Sequence, residues 1–403
     1  MRKLLLALIG MAFLASCSQN GSKTDSKVEN KDSAIAQKGD TSVKKGGAGI
    51  LEISSLNLES DKVKELNNLA KFIAGMPIGN DSRLSKYTGS KIWKAYSSQA
   101  NTTWSSFFGK NEAARKWGVS NLKEVRENSY HLIYPFSGPD VLFPEIFFPQ
   151  TKEVFMIGLE PVGSVPVFKE VNDIQLDTIF EKYKRAINEV IKFSFFMTKK
   201  MKVELANNDI DGTTPIIMLF LVREGKELLK VEPIVIGKDG EVTVKNNFNE
   251  IKSAKNKGVR FYYNNKGSKE VRQITYISTN LADGTLSVNK ELLAFFDKIQ
   301  APVCSYVKSA SYLMHKDAFS TIRNTLLSKS KYHLQDDSGI PYKFFDQKVW
   351  NVKLFGTYEK PINLFQKCKE NDLACAYKDS TIKKLNFRIG YAGKSNLLFA
   401  VKK

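Results

Sequence analysis

Hydrophobic and polar positions along the chain change rhythm near residue 130. Before it, Val63, Leu66, Ala70 and Ile73 recur at helical spacing behind Ser60 and Asp61, and Gly75 and Pro77 supply the stop. Helical pieces continue from Tyr87 to Tyr130, with Trp93, Tyr96, Trp104, Phe107, Phe108 and Trp117 set among Ser, Thr and Gly. Beyond Tyr130 the chain turns to short apolar runs separated by turns. Tyr130 to Phe136 and Val154 to Leu159 read as strands flanking a short helix, Val141 to Phe148, which predicts a βαβ unit with a parallel pair. A long helix is predicted over Gln175 to Lys200, and Ile210 to Gly240 holds another apolar stretch, Ile216 to Val222, and an ambiguous segment through Val235. The second half alternates again. Strands are predicted at Val259–Tyr263, Gln273–Ser278, Val303–Leu313, Lys331–Leu334, Val349–Tyr358 and Asn396–Val401, with helices at Lys290–Ile299 and Ala318–Leu327. No internal repeat of fixed period interrupts this order. The expected fold is α/β: a mixed or mostly parallel sheet with flanking helices, spanning residues 130–403, behind a helical, aromatic-rich N-terminal layer at 49–129.

The first residues follow a different logic. Arg2 and Lys3 form a positive start, Leu4 to Leu14 an apolar run, and Leu14-Ala15-Ser16-Cys17 a small-residue cleavage site, the order of a secretory signal peptide over residues 1–16. The apolar run is shorter than the ~20 residues a spanning helix needs. Its end resembles the lipobox of bacterial lipoproteins. That resemblance implies cleavage before Cys17, acylation of its thiol and anchoring of the new N-terminus in a membrane. Each buried lipid CH₂ contributes ~0.8 kcal/mol, so two or three chains hold firmly where one does not. Ser18 stands where an aspartate would favour inner-membrane retention in enterobacteria, so the resemblance points to the outer membrane. Residues 18–48 are Ser, Lys, Asp, Gly, Thr and Asn with almost no large apolar group, too little to offset the entropy of ordering. Residues 17–48 therefore read as a lipidated flexible tether.

Composition sharpens this address. The 403 residues carry a net charge of +19. Residues 1–48 hold eight Lys/Arg and four Asp/Glu, so the remainder keeps 53 against 38, a balance of +15. In an envelope, such a surface suits anionic lipid or an anionic glycan as partner. Lysines outnumber arginines about fivefold and no long basic run occurs, which also fits a coding bias toward A/T-rich codons. An exported address argues against nucleic acid. Of the four cysteines, Cys304 lies in an apolar stretch and reads as a buried small hydrophobe, while Cys368 and Cys375 enclose a short polar loop open to a local disulfide.

Candidate chemistry gathers at strand ends, where open α/β sheets take their ligands. Three loops qualify: Ser137-Gly138-Pro139-Asp140, Glu160-Pro161-Val162-Gly163, and Asp336-Asp337 through Tyr342. Ser137, Asp140, Glu160, Asp336 and Asp337 are the candidate ligand-binding residues. Gly138 and Glu160 have the spacing of a nucleotide fold's glycine and ribose acid, but a single glycine replaces three and Pro139 removes an N–H. Turn fixing and an N-cap from Asp140 explain the same residues. His131, His315 and His333 lack metal-ligand spacing, there is no Gly-x-Ser-x-Gly elbow, and no cofactor is implied. The aromatic block from Tyr87 to Trp117 suits either sugar stacking or helix packing. The strings YPFSGPD, GLEPVG, QDDSGIPY and LFGTYEKPI, covering roughly residues 130–361, resemble those of a group of bacterial proteins with no assigned activity. That likeness implies one continuous α/β domain and adds no chemistry. Three functions stay open: ligand binding through the strand-end loops, a hydrolase or transferase acting on an envelope glycan or small molecule, and a structural or assembly lipoprotein.

Overall fold

The computed structural model describes residues 51–128, 131–193, 206–207, 210–391 and 395–403. The predicted signal, Cys17 and the tether lie outside the described residues. From Ile50 to Lys403 the chain is one compact unit, so the helical region packs as a layer of the α/β body.

A ten-stranded sheet runs through it. Its strands are β1 (His131–Pro135), β2 (Glu153–Gly158), β5 (Lys226–Ile236), β6 (Val242–Val244), β7 (Lys257–Asn265), β8 (Arg272–Ser278), β9 (Val303–Val307), β10 (Tyr332–Gln335), β11 (Trp350–Gly356) and β12 (Asn396–Lys402). Two-residue strands β3 (Ala206–Asn207) and β4 (Ile210–Asp211) form a separate ribbon. The spatial order is β11-β12-β10-β9-β1-β2-β8-β7-β5-β6.

The predicted βαβ unit is present: β1 and β2 pair in parallel, with Leu132 opposite Val154, across the Leu142–Phe147 helix. Parallel pairing extends only over β10, β9, β1, β2 and β8. The outer strands on both sides are antiparallel, five of the nine pairings, so the sheet is mixed and the mostly parallel alternative is corrected. The reason is connection length. Only residues 266–271 join β7 to β8, whereas a parallel crossover takes about a dozen or more.

Strand alternation divides the core in two. Leu132, Tyr134, Val154, Met156, Cys304 and Tyr306 face the N-terminal helices. Ile133, Phe155, Ile157, Val303 and Val307 face the other layer, with Leu292, Phe296, Ile322 and Leu326 from the Lys290–Lys298 and Ser320–Lys329 helices. The predicted helical pieces after Tyr87 include one continuous helix, Lys91–Asn121. Ser90 caps it by accepting from the Trp93 N–H at 3.1 Å. Its buried positions 93, 96, 100, 104, 107, 111, 114 and 118 repeat every three or four residues, which lays one stripe against the Leu142–Phe147 and Asp173–Phe193 helices. Trp93, Tyr96, Trp104 and Phe107 are buried there, with Tyr96 stacked on Phe180 at 4.2 Å. These four rings are core, which corrects the idea of an exposed stacking row.

The apolar Ile216–Val222 stretch is a helix, Thr214–Arg223, buried from Thr214 through Val222, and the ambiguous segment through Val235 is mostly β5. A helix with no polar face shows no period, so its sequence resembles a buried strand. The long predicted helix spans Asp173–Phe193, and the rest of that prediction lies outside the described residues. No helix among the described residues is long and apolar enough to cross a membrane.

Candidate ligand site at the sheet switch point

Strand order reverses at the middle of the sheet. The chain leaves β1 toward β2 on one side, and leaves β9 toward β10 on the other. This makes a switch point between β1 and β9, where the two departing loops diverge. Both loops carry unusual backbone. Among the described residues, the non-glycine positions with positive φ are Phe136, Ser309, Ser311 and Tyr312. All four lie just after β1 or β9. Such conformations cost on the order of 1–3 kcal/mol each and persist only when the surroundings impose them.

A buried polar network lies beneath these loops and holds Ser309 and Tyr312 directly. Asp140, after β1, accepts from the Tyr134 hydroxyl at 2.9 Å and pairs with Lys308 Nζ at 2.6 Å. Its other oxygen accepts from the Phe143 N–H at 3.3 Å, so the expected capping role and a charge-pairing role coexist. Lys308 also lies 3.6 Å from the Phe143 ring centroid. Burial pulls the Lys308 ammonium below its ordinary range, and Asp140 and then Asp336 offset only part of that shift.

Asp336, after β10, fixes the second loop. Its carboxylate accepts from the Ser309 N–H at 2.8 Å, the Ser338 N–H at 3.0 Å and the Ser338 hydroxyl at 2.5 Å. Burial and the neighbouring charge of Asp337 push it up to about 6. Asp337 accepts from the Tyr312 hydroxyl and from Asn396 Nδ2 at 2.9 Å, and burial raises it as well. Asp140 and Asp336 both act on Tyr134 and Tyr306, so the two acids share one environment.

The remaining predicted residues behave differently. Ser137 donates to the carbonyls of Gly138 (2.9 Å) and Ile157 (3.3 Å), which ties the turn to β2 and leaves no nucleophile. Glu160 is buried beside Gly138, where a Cβ would stand 3.5 Å from Oε2, and its main-chain oxygen accepts from the Tyr276 hydroxyl at 2.9 Å. The Glu160–Gly163 loop is consumed by packing. A Cβ on Gly163 would fall 1.5 Å from the Asp211 carbonyl oxygen, and Thr213 and Thr214 donate to Pro161 and Val162. That loop therefore docks a helix start and offers no open ligand position.

The histidines do not converge. His131 faces Glu153 at 3.8 Å, His333 lies between Ser305 and Gln335 inside the sheet, and His315 lies 3.5 Å from Glu370. Burial pulls His315 and His333 down to about 4 and pushes Glu370 up to about 7. Among the described residues no group of three His, Cys, Asp or Glu is placed to hold a metal. Cys368 is a half-buried and Cys375 an exposed free thiol, so the local disulfide is not formed in this structure.

Asp140, Lys308 and Asp336 are each at most 2% exposed, so nothing in solution reaches them directly. The accessible rim is Phe136, Ser309, Ser311 and Tyr391. The Tyr391 hydroxyl receives the Ser311 N–H at 3.0 Å and donates to the Ser309 carbonyl, which brings the chain before β12 onto this rim. Lys308, Ser309, Ser311, Tyr312 and Tyr391 were not among the predicted residues. Predicting Val303–Leu313 as a single strand hides a loop that starts after Val307; the small polar Ser309-Ala310-Ser311 was its available signal. The sequence matches no protein-family model and no curated protein.

Proposed function

We propose that the chain is a lipid-anchored protein of the cell envelope whose folded body binds a small ligand at the rim of the β1 and β9 loops. The observation that carries the binding reading is the clustering of left-handed backbone at Phe136, Ser309, Ser311 and Tyr312, at the sheet switch point. Strained loops held by a buried ion pair are prearranged, so a ligand would not have to meet the cost of ordering them. The hydrolase or transferase alternative is less favoured. A raised carboxyl such as Asp336 suits a general acid, yet it is closed from solvent and its oxygens already accept three hydrogen bonds.

The anchor rests on the Leu14-Ala15-Ser16-Cys17 sequence. Mass spectrometry of the mature protein after membrane fractionation tests it. The expected result is an N-terminus at Cys17 carrying acyl chains, in the outer-membrane fraction. Soluble protein with a free Cys17 thiol rejects the anchor and leaves the binding reading standing.

A further inference from the structure

Away from the switch point, two cavities meet at one residue. The first, about 620 Å³, is lined by Thr357, Lys384, Asn386, Phe387, Arg388 and Ser395. The second, about 550 Å³, is lined by Glu112, Lys116, Trp117, Ser120, Asn121 and the same Asn386. Their walls join through aromatic rings: Phe387 and Trp117 lie 5.9 Å apart at 60°.

The first cavity is cationic without compensation. Lys384 and Arg388 are exposed, and among the described residues neither has a carboxylate within ion-pair distance. In the second, the lining carboxylate of Glu112 pairs with Lys116 at 3.5 Å and is already engaged. Thr357, Ser395 and Asn386 add hydroxyl and amide groups beside the two cations.

The second cavity is built differently. Trp117 is half-buried, held edge-on by Phe147 at 5.8 Å and Phe355 at 5.0 Å. Asn121 spends one amide hydrogen on the Trp117 carbonyl at 2.9 Å and keeps its oxygen as an acceptor. A fixed indole flanked by amides and a hydroxyl matches the needs of a sugar ring, which presents an apolar face and a polar edge. The ammonium and guanidinium that line the adjoining cavity match a phosphate or carboxylate on that sugar.

We infer that this joined groove is a second binding site, and that it takes an anionic saccharide, with the charged group at Lys384 and Arg388 and the ring against Trp117. The inference does not rest on the switch-point reading. It also gives part of the +19 charge a location. Trp117 belongs to the aromatic block between Tyr87 and Trp117 and lines the second cavity.

Calorimetry of the purified full chain with glucose 6-phosphate, glucose and inorganic phosphate tests it. Glucose 6-phosphate is expected to bind more tightly than either simpler probe, and to weaken as salt rises. K384E/R388E, a change to two exposed side chains, is expected to weaken that binding about tenfold or more, since it replaces charge-assisted contacts with repulsion. Trp117→Phe, which keeps an aromatic ring beside Phe147 but shortens the stacking surface, is expected to weaken glucose 6-phosphate while leaving inorganic phosphate unchanged. No binding of glucose 6-phosphate, equal affinity for inorganic phosphate, or unchanged affinity in K384E/R388E would each overturn the proposal.

Discussion

Lys308→Met is expected to lower the unfolding free energy by about 3–5 kcal/mol, the usual cost of removing one partner from a buried ion pair. The substitution keeps much of the side-chain volume and loses the ammonium 2.6 Å from Asp140. Among the described residues it leaves the buried Asp140 carboxylate with the Tyr134 hydroxyl and the Phe143 N–H as donors. Asp336 loses the same nearby positive charge. Replacing both members is expected to cost less than the sum of the single changes, because an apolar or neutral pair needs no compensation. Urea denaturation of Lys308→Met, Asp140→Asn and the double variant measures this directly. A coupling of about 1 kcal/mol or more in the double-mutant cycle supports the network. A Lys308→Met variant within 1 kcal/mol of the parent contradicts it.

Glu145→Gln is expected to destabilise by a similar amount, about 3–5 kcal/mol, at the opposite end of the sheet. Glu145 is buried between Arg272, at 2.9 and 3.1 Å, and Lys226, at 2.9 Å, and it accepts from the Tyr263 hydroxyl at 2.9 Å. An amide there leaves two nearly buried cations without their counter-charge. Burial alone would raise the Glu145 carboxyl, but Arg272 and Lys226 outweigh it and hold the group below its ordinary 4.5. The direction with pH follows. Its stabilisation is fully present above 4.5 and disappears as the pH falls through the lower folded value. The stability gap between parent and Glu145→Gln is therefore expected to be constant from neutral pH down to about 5, then to close in acid. Denaturation midpoints across that range check it, and a gap that widens in acid would refute the assignment.

Much of the architecture was legible because the chain is locally consistent. The βαβ unit of β1 and β2 follows from two apolar runs around a short helix, and the Lys91–Asn121 stripe follows from a repeat of three or four. What escaped shares one cause: full burial erases the contrast that patterning depends on. The Thr214–Arg223 helix has no polar face, and the strand β9 merged in the sequence with the loop after it. The antiparallel outer strands were readable from the short connection between β7 and β8, yet that spacing carries weight only when set against the length of a crossover. At the site, Asp140, Asp336 and Asp337 stood out as acids next to Gly and Pro in turns. Lys308 did not, because a lysine between valine and serine looks like any surface lysine until the sheet order sets it beside Asp140. Glu160 had the same turn chemistry as Asp140, but its loop is filled by Gly212 and Thr213, a backbone contact 50 residues away that local sequence does not encode.

The most direct test of the switch-point reading is amide hydrogen exchange of the full chain, with and without an envelope glycan fragment or small molecule that raises its melting temperature. Saturation is expected to slow exchange at residues 136–140 and 308–312, the two loops that diverge from β1 and β9. Unchanged exchange in both loops, with protection confined to other segments, would contradict it.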